Sequence, residues 1–133
     1  MVNSRILVML VPMAAYSPVA ISGQPVATSK QYDRCLEKAG AVDPKIFDCV
    51  SAEHERQDKR LNAAYRNLLN KLQGKRKKEL QDVQRQWIKY IAAHCKFYHD
   101  PEGGTVAPQM SLQCEIDSAA WRADELEQLN APS

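Results

Sequence analysis

The sequence has no strand-like alternation, no surplus of charge, no close-spaced pairs of metal ligands and no apolar run of membrane-spanning length. Each absence removes a class of protein. Without apolar–polar alternation over about four to eight residues there is no half-buried strand, so helices must supply the core. A formal charge of +2, reduced to +1 when Arg5 is discounted, gives no general attraction for nucleic acid. A metal reading would use Cys95 with His94 and His99, and these lack the paired spacing of a zinc site. No metal or other cofactor is therefore expected. Internal repeats and low-complexity segments are also missing.

The opening stretch MVNSRILVMLVPMAAYSPVAISG combines one basic residue, Arg5, with an apolar run broken by Pro12 and Pro18 and with small residues near its end. That run is too short for a membrane span. Ala20 and Ser22 suit a signal-peptidase site, so residues 1–22 are expected to be a signal peptide and 23–30 a disordered mature N-terminus. No cysteine lies near the cut, which argues against a lipid-attached form, and no stable membrane anchor is expected.

All four cysteines, Cys35, Cys49, Cys95 and Cys114, fall in the mature part. An even number in a small exported chain points to two disulfides and to an oxidising compartment, periplasmic or secreted. Three connectivities are open. Cys35–Cys49 with Cys95–Cys114 is preferred, because it staples each flanking helix to its nearest neighbour. The competing thought is that Cys49 and Cys95 lie close across a hairpin.

What is present is helical periodicity. Gln31–Ala39 forms a short helix closed by Gly40. Asp43-Pro44 opens a second, with Asp43 as N-cap, and neither Gly nor Pro follows until Gly74. Along it Phe47, Val50, His54, Gln57, Leu61, Ala64, Tyr65, Leu68 and Leu72 recur at steps of three and four. Leu80–Tyr98 repeats the pattern with Leu80, Val83, Trp87, Tyr90, Ile91, His94 and Tyr98, and Trp87 at its centre is expected to organise the core. Folding the chain about Gln73–Gly74 sets Leu61 opposite Trp87, Tyr65 beside Val83 and Gln57 near Tyr90. Tyr98–Pro108 is a loop, rich in Pro and Gly. Met110–Leu129 is a last helix with Leu112, Ile116, Ala119, Ala123 and Leu126 inward. The expected fold is all-α: a long antiparallel helical hairpin with a short N-terminal and a medium C-terminal helix, stapled by disulfides, over residues 31–130.

Chemistry is thinly marked. His54 and His94 fall on the two stripes and are expected to approach one another as a satisfied pair, with no nucleophile nearby to make either a general base. Asp100 and Glu102 could be drawn as a glycosidase pair, yet acids in a Pro-Gly loop are ordinary polar loop residues. The protein is not expected to be an enzyme. Lys75-Arg76-Lys77-Lys78 reads as a solvated hairpin tip. Asp58 and Asn62 on one arm and Gln84 and Arg85 on the other suggest a hydrogen-bonded cluster that locks the register.

One combination is more specific. Asp58-x-x-Leu61-Asn62-x-x-Tyr65 is followed by Leu80-x-x-x-Gln84-Arg85-x-Trp87-x-x-Tyr90-x-x-x-x-Cys95, then Gly103-Gly104-Thr105, Cys114, Arg122 and Glu125-Leu126. With its four cysteines, this chain resembles the bacterial lysozyme-inhibitor LprI N-terminal domain family from about Cys35 to Leu126. It departs from the family pattern at Ile91-Ala92, where Arg-Asp is frequent, and at Ala119, where Thr is. The resemblance implies an exported helical domain whose partner is a lysozyme or another envelope-active protein. A rigid inhibitor needs a loop that enters a cleft. Tyr98, Asp100, Glu102, Gly103, Gly104 and Thr105 are the expected contact residues, glycines for close backbone approach and acids for a basic partner. The competing reading is a structural or immunity-type envelope module that makes no lysozyme contact.

Intact-mass analysis of exported protein should show loss of residues 1–22 and of four hydrogens, one per cysteine. Four titratable thiols in the native protein would end the disulfide expectation.

Overall fold

The computed structural model describes residues 28–132, so the expected signal segment 1–22 lies outside the described residues, as do residues 23–27. Four helices follow one another: α1 (Lys30–Ala39), α2 (Asp43–Lys71), α3 (Gly74–Phe97) and α4 (Val106–Asn130). No strand occurs among the described residues.

Local chemistry sets most of the boundaries. Ser29 caps α1 by accepting the Tyr32 N–H at 3.1 Å, and Gly40, at φ +60°, closes it with its own N–H on the Leu36 carbonyl. Helix α2 begins one residue earlier than a cap at Asp43 requires. Val42 is the extended residue before it and gives no side-chain cap. Asp43 instead lies inside the first turn with Pro44, where its negative charge suits the positive end of the helix dipole. Gly74, at φ +51°, starts α3 and does not merely end α2. At α4 the loop signal of Pro108 misleads. Proline in a first turn forfeits no hydrogen bond, since those N–H groups lack intrahelical partners anyway. Helix α4 therefore starts at Val106, and the loop before it ends at Thr105.

The two disulfides are Cys35–Cys49 and Cys95–Cys114, with Cα separations of 5.7 and 5.4 Å. The first ties α1 to α2 and the second α3 to α4. Closing loops of 14 and 19 residues, each contributes roughly 3 kcal/mol in the chain-entropy picture.

Packing departs from a hairpin centred on Trp87. Helix α2 packs chiefly along α4, α1 lies on α2, and α2 and α3 touch each other least. The reason is that α4 buries more than one face. Together with Arg122, the alanines Ala119, Ala120 and Ala123 are all buried, and they span about 160° of the helix circumference, wider than a usual stripe. Their small side chains let helices approach on two sides. One core cluster joins Leu61, Ala64, Leu68, Leu80, Ala119, Ala123 and Leu126, with Trp87 partly buried against it. A second joins Tyr32, Ala39, Cys49, Val50 and Ile116. Of the expected pairs, Leu61 and Trp87 share the first cluster. Val83 and Tyr90, 50 % and 62 % exposed, do not complete the expected pairs with Tyr65 and Gln57. Phe47 is also exposed, because the inward stripe of α2 runs through Cys49, Val50, Glu53 and Gln57.

The stability test inverts the sequence-based emphasis. Leu126→Ala, in a fully buried position of α4, should cost about 2–5 kcal/mol, whereas Tyr90→Ala should stay within about 0.5 kcal/mol. Chemical denaturation of both variants checks this, and a larger loss for Tyr90 than for Leu126 would restore α3 as the organising helix.

Candidate functional site

The polar residues singled out in the sequence do not form one hydrogen-bonded cluster. Asn62 donates to the carbonyl and carboxylate of Asp58 one turn earlier, at 2.9 and 3.0 Å, on the exposed side of α2. Gln84 is buried and accepts from Arg122 Nε on α4 at 3.1 Å. Arg85 turns outward and pairs with Asp82. The four therefore do not form one network, and the register is held by Gln84 with Arg122, which the sequence reading did not pair. His54 and His94 do not meet either. His54 Nε2 lies 3.0 Å from Glu115 Oε2 on α4, whereas the His94 ring stacks on Tyr90 and meets Tyr98 edge-on, both at 5.4 Å between centroids. In the basic run, Arg76 pairs with Glu79 and Lys78 with Asp82, so part of its charge is answered within α3. Among the described residues no group of three or more His, Cys, Asp or Glu side chains could hold a metal, and no helix is long and apolar enough to cross a membrane.

The far end of α3 is more distinctive. Tyr98 and His99 tighten the helix end through their N–H groups on the Cys95 and Lys96 carbonyls. Asp100 then shapes the turn: its Oδ1 accepts the Glu102 N–H at 2.9 Å and its carbonyl accepts from Gly103 at 3.0 Å. Gly103 has no room for a side chain, since a Cβ there would come within 2.9 Å of the Ala107 Cβ. Gly104 holds φ +61°. Below the loop, the Cys95–Cys114 bond and a 3.0 Å hydrogen bond from Ser111 Oγ to the Cys95 carbonyl join the two helices. Every residue from Lys96 to Val106 is exposed. Phe97 is 86 % exposed and meets Tyr98 edge-on at 6.5 Å between centroids, and Val106 and Met110 at the start of α4 are exposed as well.

Next to this loop is a cleft of about 390 Å³, lined by His94 and Tyr98 from α3 and by Met110, Gln113, Cys114, Asp117 and Ser118 from α4. Gln113 is fixed at both ends of its amide. Its Oε1 accepts from the Tyr32 hydroxyl at 2.8 Å, and its Nε2 donates to Asp117 Oδ1 at 2.8 Å. Burial, then the negative charges of Asp117, Glu53 and Asp33, raise the Tyr32 pKa, so the hydroxyl keeps its proton and goes on donating. Sequence reasoning missed this cleft, because its α4 members Met110, Gln113, Asp117 and Ser118 lay off the stripe expected to face inward and carried no motif.

Residues 35–126 match the family described as lysozyme inhibitor LprI. The chain belongs to that family. No curated protein and no solved structure matches it. On this LprI-family fold the motif residues converge. Asp58, Leu61, Asn62, Gln84 and Trp87 line a groove of about 310 Å³ between α2 and α3, floored by Glu115 and Ala119 of α4. The positions that depart from the family pattern, Ile91, Ala92 and Ala119, line the same groove.

The LprI-family domain also contains one fully buried carboxylate, Glu53, at 0 % exposure. It accepts from the Ser29 N–H at 2.8 Å, the Ser29 hydroxyl at 2.6 Å, Gln57 Nε2 at 2.7 Å and Arg56 Nε at 2.8 Å. Burial pushes its pKa up, but the hydrogen bonds from Gln57, from the Ser29 hydroxyl and N–H, and from Arg56 outweigh it, and the net shift is downward. Glu53 is thereby an anchor for the start of α1, and its signal in sequence was a charge on the inward stripe of α2. Because the folded pKa is lowered, the unfolded chain takes up this proton more readily. The stability Glu53 supplies is present above the ordinary carboxylate value, about 4.3, and is lost as pH falls through the folded one. Glu53→Gln should therefore cost about 1–3 kcal/mol at neutral pH, with a smaller acid-induced fall in Tm than wild type. Thermal melts between about pH 3 and pH 7 test this, and parallel curves for the two proteins would remove Glu53 from the account.

Proposed function

We propose that this chain is an exported, non-catalytic binding protein that blocks a lysozyme, with the end formed by Tyr98–Thr105 as its contact surface. Family membership supports the choice of partner. Two disulfides suit export into an oxidising compartment, which also accords with residues 1–22 acting as a signal peptide.

The observation that carries the contact surface is Phe97. A phenylalanine left 86 % exposed and set edge-on to the exposed Tyr98 is apolar surface that folding does not use. Exposed apolar patches rimmed by polar groups mark interaction sites. Asp100 and Glu102 add negative charge to that loop, complementary to a basic enzyme surface. The turn is held by its own hydrogen bonds and by the disulfide beneath it, which lowers the ordering cost of binding.

The test is inhibition of a lysozyme by the purified full chain without its leader. Phe97→Ala and Tyr98→Ala should each weaken inhibition by about tenfold or more at unchanged Tm. Asp100→Lys with Glu102→Lys should slow association and reverse its dependence on salt. Replacing Gly103 and Gly104 together by Ala should distort the turn, through the Ala107 contact at one and the positive φ at the other. If all of these variants inhibit as well as wild type, the loop is a connector only. The contact would then be sought in the groove between α2 and α3, where the motif residues gather.

A further inference from the structure

We propose that the cleft between the end of α3 and the middle of α4 receives an arginine side chain of the bound protein, with Asp117 as its carboxylate. This rests on the lysozyme reading for the identity of the donor, and on the chain's own geometry for the chemistry.

The decisive contrast is among the acids of α4. That helix carries five carboxylates: Glu115, Asp117, Asp124, Glu125 and Glu127. Three are answered by arginines, Asp124 and Glu127 by Arg60 and Glu125 by Arg122, and Glu115 meets the His54 imidazole at 3.0 Å. Asp117 is half-buried, and no cation among the described residues pairs with it. Its one hydrogen bond is from the Gln113 amide to Oδ1, which leaves Oδ2 to a ligand. Partly desolvating a carboxylate without a counter-charge is unfavourable, and a cation from outside would relieve it.

The surroundings select the kind of cation. His94 and Tyr98 form the opposite wall, edge-to-face, and Tyr90 continues the aromatic row along α3. A planar guanidinium can lie on a ring face while donating to a carboxylate, which a compact ammonium does less well. The carboxylate is already oriented, because Gln113 is locked from behind by the Tyr32 hydroxyl. Little remains to be ordered on binding. Tyr98 belongs both to this cleft and to the proposed contact loop, so an arginine seated here would bring its protein to the start of that loop.

Asp117→Asn keeps the oxygen that accepts from Gln113 and removes the charge. In the full chain without its leader, Asp117→Asn should weaken lysozyme binding about tenfold to a hundredfold at unchanged Tm, mostly through faster dissociation. Asp33→Asn, an equal loss of charge on the exposed side of α1, should change it less than about twofold. Equal effects of the two substitutions on a protein that does bind lysozyme would overturn the cleft and leave the lysozyme reading standing. A second arm needs no lysozyme: acetyl-arginine amide, titrated by NMR, should move the His94 and Tyr98 ring signals. Acetyl-citrulline amide should not, nor should acetyl-arginine amide with Asp117→Asn. If wild type binds no lysozyme but shows this Asp117-dependent response, the lysozyme reading fails and the arginine cleft stands. Without that response in wild type, the cleft is overturned.

Discussion

The two-sided burial of α4 is the constraint on which the rest of the structure depends. A helix that buries Ala119 and Ala123 on one side and Ala120 and Arg122 on the others cannot be a peripheral cover. Its alanines bring neighbouring backbones close, so α2 lies along it, α3 crosses to it, and the direct contact between α2 and α3 shrinks. The open space this leaves becomes the groove above Ala119 and the cleft beside Cys114. Position in the chain concealed this role. A last helix, read as medium in length, turned out to span 25 residues and to organise the others.

Polar side chains follow from the same packing. Arg122 is buried because it stands between α3 and α4, and Gln84 with Glu125 satisfies it. Glu53 is buried because α1 crosses α2 there, and four donors hold it ionised. Both are cases in which a buried charge is tolerated only because its hydrogen-bonding capacity is met. Asp117, half-buried in the same helix, has no such counter-charge among the described residues, and it lines the cleft with Tyr98, next in the chain to Phe97, the most exposed aromatic residue described.

The disulfides connect fold to surface. Cys35–Cys49 holds the short α1, which by itself has too few turns to persist, against α2. Cys95–Cys114 holds the last turn of α3 against α4 and so fixes the base of the Tyr98–Thr105 turn. Membership of the lysozyme-inhibitor LprI family accords with such a rigid, export-compatible scaffold. The motif residues serve mainly that scaffold: Leu61 and Leu126 in the core, Gln84 and Arg122 across it, Asp58 and Asn62 at the rim of the groove.

By itself the sequence determined that the protein is all-α, where its helices lie to within a few residues, and to which family it belongs, and it favoured one of three cysteine pairings without choosing it. These follow from local causes: three-four periodicity, Gly40 at a helix end, Pro44 in a first turn, and short chain separations between the bonded cysteines. Tertiary structure alone decided which stripe faces which. The stripes of α2 and α3 match each other well enough to suggest a hairpin centred on Trp87, and nothing local says that a helix from Val106 to Asn130 will take the central place. That outcome depends on alanine-sized side chains permitting close approach on two sides, a property of surfaces meeting and not of any one segment. The same holds for the site. Phe97 and Asp117 are 20 positions apart in the chain, and only the folding of α3 onto α4 makes one conspicuous for its exposure and the other for its missing counter-charge.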